Sequence, residues 1–170
     1  IGAGGERHPA ALDDDLGEAL MRALRGQFDA VHGGFGDAPK FPRPAVFLPL
    51  HARAIAGDAE AERELLATLR AMADGGIHDH LGGGFHRYSV DRAWHVPHFE
   101  KMLYDQGQLA VAYVDAWQHS GDERLLAVAR DVCRYVLRDL RHPDGGLLSA
   151  EDADSERPDA PGSHGEGAFY

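Results

Sequence analysis

The residues best suited to chemistry are concentrated in one stretch, 75–105, whose sequence is GGIHDHLGGGFHRYSVDRAWHVPHFEKMLYD. This stretch contains five histidines, two tyrosines and one tryptophan, together with several charged residues. Imidazoles exchange protons near neutral pH, and a neighbouring carboxylate supplies the second group that general acid/base catalysis needs. We therefore predict that the functional site of the chain lies in this stretch.

Acid/base catalysis on a sugar or another polyol is the chemistry that this mixture of side chains favours. His98 and Glu100 are the leading acid/base candidates, and His86 is a third catalytic candidate. The residues predicted to line the pocket are polar or aromatic: His80, Arg87, Tyr88, Trp94, Lys101, Tyr104, Asp105, Asp152 and Asp154. The predicted partner is accordingly a small-molecule, sugar-like ligand.

Four of the pocket residues have distinct predicted roles. Trp94 and Tyr88 would stack on the face of a sugar ring, because their rings are large, rigid and amphipathic. Arg87 and Lys101 would bind an anionic or hydroxyl group of the ligand. These roles require that all four side chains reach solvent.

Several of the same residues also have a structural interpretation. Glu100 is expected to satisfy N–H groups at a helix start, and Lys101 with Asp105 to form an ordinary ion pair at positions i and i+4. Asp152 and Asp154 belong to an acidic run, which is usually a solvated loop, although two converging carboxylates are also what a glycoside hydrolase uses. The sequence leaves both interpretations open.

Metal binding is a second chemistry that histidines can support. The imidazoles of the central stretch are His78, His80, His86, His95 and His98. Neither an HExxH motif nor a paired CxxC motif accompanies them. We therefore predict no metal and no cofactor.

The central stretch must be positioned by the helices on either side of it. Apolar residues recur at spacings of three and four, which is typical of amphipathic helices, in segments 13–31, 44–56, 58–74, 97–119 and 120–140. Asp58 is the predicted N-cap of the third helix, Pro97 marks the start of the fourth, and Ser120 with Glu123 forms a capping box for the fifth. Segment 85–90 is predicted to be extended, as are the segments after Gly146.

Glycine-rich loops recur between the helices. Gly33, Gly83 and Gly145 stand at equivalent points, 50 and then 62 residues apart, and each precedes a second glycine. A single helix pair cannot bury both of its apolar faces, so repeated pairs stack as an open solenoid or close into a ring. We expect the glycine loops to gather at one end of the helices. Residues 1–12 are interpreted as a flexible lead-in or linker.

The composition excludes several classes of function. The net charge of −11 repels a phosphate backbone, so no nucleic-acid partner is expected. No apolar run reaches the length of a membrane span, and the N-terminal residues lack the apolar core of a signal peptide, so the expected location is the cytoplasm. The single Cys133 excludes an internal disulfide, and its place on an apolar helical stripe predicts that it is buried.

Four motifs closely resemble the spermatogenesis-associated-protein-20-like family of thioredoxin-domain-containing proteins. They are FGDAPKFPRP (35–44), GGIHDHLGGGFHRYSVDRAWHVPHFEKMLYDQ (75–106), GGLLSAEDADSE (145–156) and GEGAFY (165–170), and VPHFEKMLYD (96–105) is the most specific part. The resemblance implies an all-α fold in which residues 13–170 form about three helical hairpins. These would be the first half of an (α/α)6 toroid of the six-hairpin glycosidase and N-acylglucosamine 2-epimerase type, with short β segments in the loops. It also implies a thioredoxin-like domain elsewhere in the full-length protein.

Two functional hypotheses follow from the residues and from the resemblance. In the first, the toroid is a carbohydrate-active or carbohydrate-binding domain, because epimerases of that fold use two histidines beside Arg and Glu, parts that His86, His98, Arg87 and Glu100 would play. In the second, it is a non-catalytic binding or scaffold module that works with the thioredoxin-like domain. The first hypothesis expects His98, Glu100 and Tyr104 beside solvent. The second expects these side chains to be bonded to one another and buried.

Overall fold

The computed structural model describes residues 14–170, so the predicted lead-in at 1–12 lies outside the described residues. Its helices are α1 (Asp14–Arg25), α2 (Phe47–Ile55), α3 (Ala59–Asp74), α4 (Leu103–Ser120) and α5 (Glu123–Asp139), with a 3-10 turn at Pro44–Val46 before α2. Short strands lie in the loops: β1 (Tyr88–Ser89), β2 (Pro97–His98), β3 (Lys101–Met102), β4 (Ala150–Glu151), β5 (Asp154–Glu156) and β6 (His164–Glu166). The chain is thus mainly helical, as predicted.

Helix α3 shows how local sequence specifies a helix here. Asp58 is its N-cap, as predicted, and accepts hydrogen bonds from the backbone N–H groups of Glu60 and Ala61. These bonds satisfy two donors that have no partner within the helix. Leu69 and Met72 lie on its inner face and are fully buried. Capping and apolar periodicity therefore define the same helix.

The helices pack as hairpins in two layers. Helix α2 packs on α3 and α4 packs on α5, while α2 also contacts α4 and α3 contacts α5. A continuous apolar core joins the pairs; its fully buried members include Leu50, Leu69, Leu109, Tyr113, Ala116 and Val132. Within residues 14–170, no helix is long and apolar enough to cross a membrane.

The predicted glycine-loop repeat is present in three dimensions. We call residues 28–35 the first glycine loop and residues 78–85 the second glycine loop. In each, the first and last residues pair as an antiparallel bridge, Phe28 with Phe35 and His78 with Phe85. A third bridge joins Arg141 to Leu147 at the end of α5. Each loop therefore reverses the chain after a helix.

Two helix boundaries differ from the sequence prediction. Helix α1 ends at Arg25 rather than near residue 31, because the following residues form the first glycine loop. Helix α4 begins at Leu103 rather than at Pro97, because β2 pairs with β1 and β3 pairs with β4. Strand pairing between distant segments overrides the local preference for a helix at 97–102. Residues 97–102, predicted to begin this helix, therefore lie before it.

The start of α5 and the environment of its cysteine also differ from the prediction. The N-cap is Asp122, whose carboxylate accepts from the N–H of Arg124. Ser120 instead donates its hydroxyl to the carbonyl of Ala116 in the preceding helix. Cys133 is exposed rather than buried. It lies beside the apolar stripe of α5, and one step around the helix is enough to turn a side chain to solvent.

Candidate functional site

The extended segment 98–101 divides the central stretch into two faces. Successive side chains of an extended chain point in opposite directions. His98 and Glu100 therefore lie on one face and Phe99 and Lys101 on the other. Backbone bonds hold this geometry: the N–H of Arg87 donates to the carbonyl of Glu100 at 2.7 Å. In a helix, Glu100 would instead share a face with Tyr104, and Lys101 with Asp105.

One face carries a set of mutually bonded polar side chains, which we call the His98 cluster: Arg87, Tyr88, His98, Glu100 and Glu166. The Nδ1 atom of His98 lies 2.6 Å from a carboxylate oxygen of Glu166. Its Nε2 atom lies 3.7 Å from a carboxylate oxygen of Glu100, which in turn accepts a 2.6 Å hydrogen bond from Arg87. The ring of Tyr88 stacks on the imidazole with centroids 4.8 Å apart. The leading acid/base candidates thus lie together.

Solvent reaches the His98 cluster. The side chains of His98 and Glu100 are 24% and 26% exposed, and that of Arg87 is 40% exposed. Tyr104, on the first turn of α4, is 52% exposed. The exposure agrees with the carbohydrate hypothesis, whereas the internal bonds agree with the scaffold hypothesis. The cluster is therefore accessible and preorganised at the same time.

Asp105 occupies the first turn of α4, next to the cluster. It is only 6% exposed, and no hydrogen bond joins its carboxylate to another residue that the structure describes. Burial raises its pKa to about 6, although the nearby charge of Arg87 acts in the opposite direction. The predicted ion pair with Lys101 is absent, because Lys101 lies on the other face of the extended segment. A buried, unpaired carboxylate beside an acid/base cluster is a functional candidate.

We expect Asp105→Asn to stabilise the protein at alkaline pH. The pKa of this carboxyl group is 3.8 when unperturbed and about 6 in the fold, so folding favours its protonated form. The contribution of Asp105 to stability should therefore fall as pH rises from about 4 to 6, by about 3 kcal/mol, and the variant should lack this change. Urea denaturation at pH 8 and pH 3.5 measures the difference. An equal effect at both values would contradict the assignment.

The other face of the extended segment is organised by Lys101. Its side chain is 3% exposed, and its ammonium group donates to the carboxylate of Asp79 at 2.7 Å and to the carbonyl of Gly83 at 2.9 Å. It also lies 4.4 Å from the ring centroid of Tyr135. Burial opposes ionisation of Asp79, but the bonds from Lys101 and Tyr170 outweigh it and hold the pKa of Asp79 well below its usual range. The ammonium group of Lys101 is therefore bonded within the protein, and its predicted role in binding a ligand stays a prediction.

The first glycine loop contains a second arrangement of the same kind. Lys40 is fully buried and donates to Asp29 at 2.8 Å and to the carbonyl of Gly33 at 2.6 Å. Its ammonium group lies 5.1 Å from the ring centroid of Trp94. We call the Asp29–Lys40 pair the first clamp and the Asp79–Lys101 pair the second clamp. The sequence gives no local sign of the first clamp, because its two charges are paired through tertiary contacts.

Trp94 packs against the first clamp and is not placed to contact a ligand. Its side chain is fully buried, and its indole N–H donates to the carbonyl of His32 at 3.1 Å. A Cβ atom on Gly34 would collide with the indole ring, which explains the glycine at that position. The prediction that Trp94 stacks on a sugar is therefore wrong.

His86 is separated from the His98 cluster. It is 2% exposed, and its Nδ1 atom lies 3.0 Å from the carbonyl oxygen of Phe99, to which it donates. Burial lowers the pKa of His86 to about 4, so the imidazole is neutral at physiological pH. Its ring packs against Phe99 and Tyr170. The prediction that His86 acts beside His98 is therefore not met by the geometry.

The remaining predicted residues lie outside the cluster. His80 is exposed at the second glycine loop and bonds to the carbonyl of Gly75. Asp152 is exposed and lines a cleft of about 300 Å³ that also contains Lys101, and Asp154 is exposed on β5. In the range 14–170, no three His, Cys, Asp or Glu side chains are grouped so that they could hold a metal ion.

Glu166 is the main functional candidate that sequence reasoning missed. It lies in GEGAFY, one of the motifs that carry the family resemblance, but it is 68 residues from His98. Strand β6 pairs with β5, Asp154 opposite Glu166, and the carboxylate of Glu166 lies against the imidazole of His98. The only sign of Glu166 in the sequence was its place in this family motif.

The helix pairs have the fold of part of an (α/α) toroid, as the comparison with solved structures shows. The fold of the chain matches a sugar epimerase from a ruminal bacterium with a TM-score of 0.68, at 16% identity, over 78% of this chain and 37% of that structure. A cellobiose 2-epimerase from Spirochaeta thermophila gives 0.68 at 20% identity, over 81% and 39%. A family 76 glycoside hydrolase from Bacteroides thetaiotaomicron gives 0.57 at 18%, over 75% and 26%.

The family resemblance is confirmed by sequence comparison. The chain is 53% identical to human spermatogenesis-associated protein 20 over 173 aligned residues, and 46% identical to the mouse protein over 171. Each alignment covers 98% of this chain, and the chain spans only 22% of the length of these curated relatives. No family model matches. The chain is therefore homologous to one segment of the spermatogenesis-associated-protein-20-like family.

Proposed function

We propose that the His98 cluster is part of a carbohydrate-active site in which His98 acts as a general base. The observation that carries the proposal is the 2.6 Å contact between Nδ1 of His98 and Glu166. When Nδ1–H donates a hydrogen bond to this carboxylate, the imidazole is neutral and Nε2, 3.7 Å from Glu100, carries the lone pair that can accept a proton. The carboxylate also stabilises the imidazolium that forms when Nε2 accepts a proton.

The neighbouring side chains suit proton abstraction next to a sugar carbonyl group. Removing the proton at C2 of an open-chain sugar moves an electron pair onto the carbonyl oxygen, which becomes negatively charged. The Arg87 guanidinium is partly exposed and held by Glu100, so it is placed to stabilise such an anion. The exposed Tyr104 offers a hydroxyl and a ring to the ligand. Two of the solved structures with this fold are cellobiose 2-epimerases, a name that places their reaction at C2.

The test is solvent exchange at C2 of reducing sugars. The full-length protein is incubated in D₂O with glucose, mannose, N-acetylglucosamine or cellobiose, and loss of the C2 proton is followed by NMR. We expect exchange with at least one sugar, and His98→Gln should slow it by about 100-fold or more, as is usual for loss of a general base. His164→Gln, at an exposed histidine on β6, is the matched control and should keep the wild-type rate. Exchange that survives in His98→Gln would refute the role of His98.

A second candidate function is favoured by the internal bonding of the cluster. Arg87, His98 and Glu100 are all bonded to other side chains, as expected of a scaffold that holds its loops in place. In this case the segment binds a client or a partner domain, such as the thioredoxin-like domain implied by the family resemblance. His98→Gln would then lower stability in urea denaturation, while wild-type protein would show neither C2 exchange nor sugar binding.

A further inference from the structure

The two clamps contain the same set of contacts. In each, one carboxylate oxygen accepts from the backbone N–H groups two and three residues later, at Val31 and His32 in the first loop and at Leu81 and Gly82 in the second. The other carboxylate oxygen accepts from the buried lysine, which also donates to a glycine carbonyl and lies over an aromatic ring. Because so many contacts are repeated, we attribute the same structural role to both clamps.

The second clamp holds the chain directly beside Glu100. Lys101 is the next residue, and its side chain is anchored on the face opposite to that of Glu100. Anchoring one side chain of an extended segment fixes the direction of its neighbour, because the two alternate. The ammonium of Lys101 therefore sets the orientation in which Glu100 reaches Arg87 and His98.

The first clamp holds the chain next to Tyr88, whose ring packs on His98. Lys40 pairs with Ser89 through two backbone hydrogen bonds of 2.7 and 2.8 Å, one residue beyond Tyr88. Phe41, the residue after Lys40, packs on Tyr88 with ring centroids 4.8 Å apart. Tyr88 in turn stacks on His98 at 4.8 Å. A series of contacts therefore connects the first clamp, through Phe41 and Tyr88, to the imidazole of His98.

We propose that Lys40 and Lys101 are positioning residues for the His98 cluster, and that the duplicated clamp supports it from two sides. Neither lysine touches the ligand. Lys101 orients the carboxylate of Glu100, and Lys40 orients the ring that stacks on His98. As a statement about catalysis, this inference rests on the proposed function; as a statement about the geometry of His98, it does not.

The test compares Lys40→Met and Lys101→Met with Leu125→Ala in the full-length protein. Leu125 is a buried core residue of α5, so its truncation destabilises the fold without altering a clamp. Where a lysine variant fails to fold, Asp29→Asn with Lys40→Met, or Asp79→Asn with Lys101→Met, removes both charges of the clamp together. The ligand-free measurement is the NMR signal of the His98 imidazole in histidine-labelled protein, assigned by its loss in His98→Gln.

We expect the His98 signal to move in both lysine variants and to stay in place in Leu125→Ala. In the C2-exchange assay, Lys101→Met should lower kcat by about 100-fold, because a misplacement of about 1 Å has an effect of this size. Lys40→Met should lower kcat by about 2- to 10-fold, because the aromatic pair that supports His98 is worth about this much. Equal changes in Leu125→Ala, or a His98 signal that stays in place in both lysine variants, would overturn the inference. Movement of His98 without sugar exchange in the wild type would support the clamps and refute the proposed function.

Discussion

Trp94→Ala is expected to lower the free energy of unfolding by about 3 to 5 kcal/mol, the usual loss when a buried large side chain is truncated in a core. Trp94 is fully buried, and its ring lies beneath the ammonium group of Lys40. Its removal would leave a cavity, an unpartnered carbonyl at His32 and a weakened first clamp. Urea denaturation followed by circular dichroism measures the loss.

Trp117→Ala is the matched control, because the chain has two tryptophans and this one is only partly buried. Its indole N–H donates to Glu123 on the exposed surface between α4 and α5. We expect it to cost about 1 to 2 kcal/mol, in proportion to the smaller apolar area that it buries. If Trp94→Ala kept wild-type stability but lost sugar binding, Trp94 would be a ligand residue after all.

Acid is expected to remove the contribution of His86 to stability, an effect opposite in sign to that of Asp105. The pKa of His86 is 6.5 when unperturbed and about 4 in the fold, where burial disfavours the charged imidazolium. The stability that depends on the neutral ring is complete above pH 6.5 and is lost as pH falls towards 4. The total loss is about 3 kcal/mol, since each pKa unit corresponds to about 1.4 kcal/mol.

His86→Gln should remove this pH dependence, because glutamine does not titrate. The difference in unfolding free energy between variant and wild type should therefore change by about 3 kcal/mol between pH 7.5 and pH 4. The buried carboxylates Asp29 and Asp79 add their own loss only below about pH 4, because their pKa values are lowered from 3.8. His164→Gln controls for loss of an exposed histidine. Parallel pH profiles for His86→Gln and wild type would contradict the assignment.

Much of the helical framework was accessible from periodicity and capping. Helices α2 and α3 lie where the apolar spacing and the Asp58 cap place them. The repeat of glycine loops was visible because a turn with positive φ needs glycine at fixed points, as at Gly33 and Gly83. These features depend on residues close together in the chain. Local energetics is sufficient to specify them.

The central stretch is divided differently from the prediction. The sequence predicted one helix from Pro97, which would have placed Glu100 and Tyr104 on one face and Lys101 and Asp105 on another. Strand pairing made the segment extended instead, and Lys101 turned to the interior. The relevant hydrogen bonds join residues tens of positions apart. Secondary-structure propensity, which is judged from a short window of sequence, cannot detect such hydrogen bonds.

The sequence by itself determined where the polar and aromatic residues are concentrated, which helices flank them, and which family the chain resembles, because composition, periodicity and motifs are carried by neighbouring residues. Only the tertiary structure decided which charges are enclosed and which meet solvent. The ammonium group of Lys101 is buried by Asp79 and Tyr135, whereas His98 stays accessible between Glu100 and Glu166. Burial of a charge depends on partners brought together by folding, and those partners cannot be identified from residues within a few positions of it.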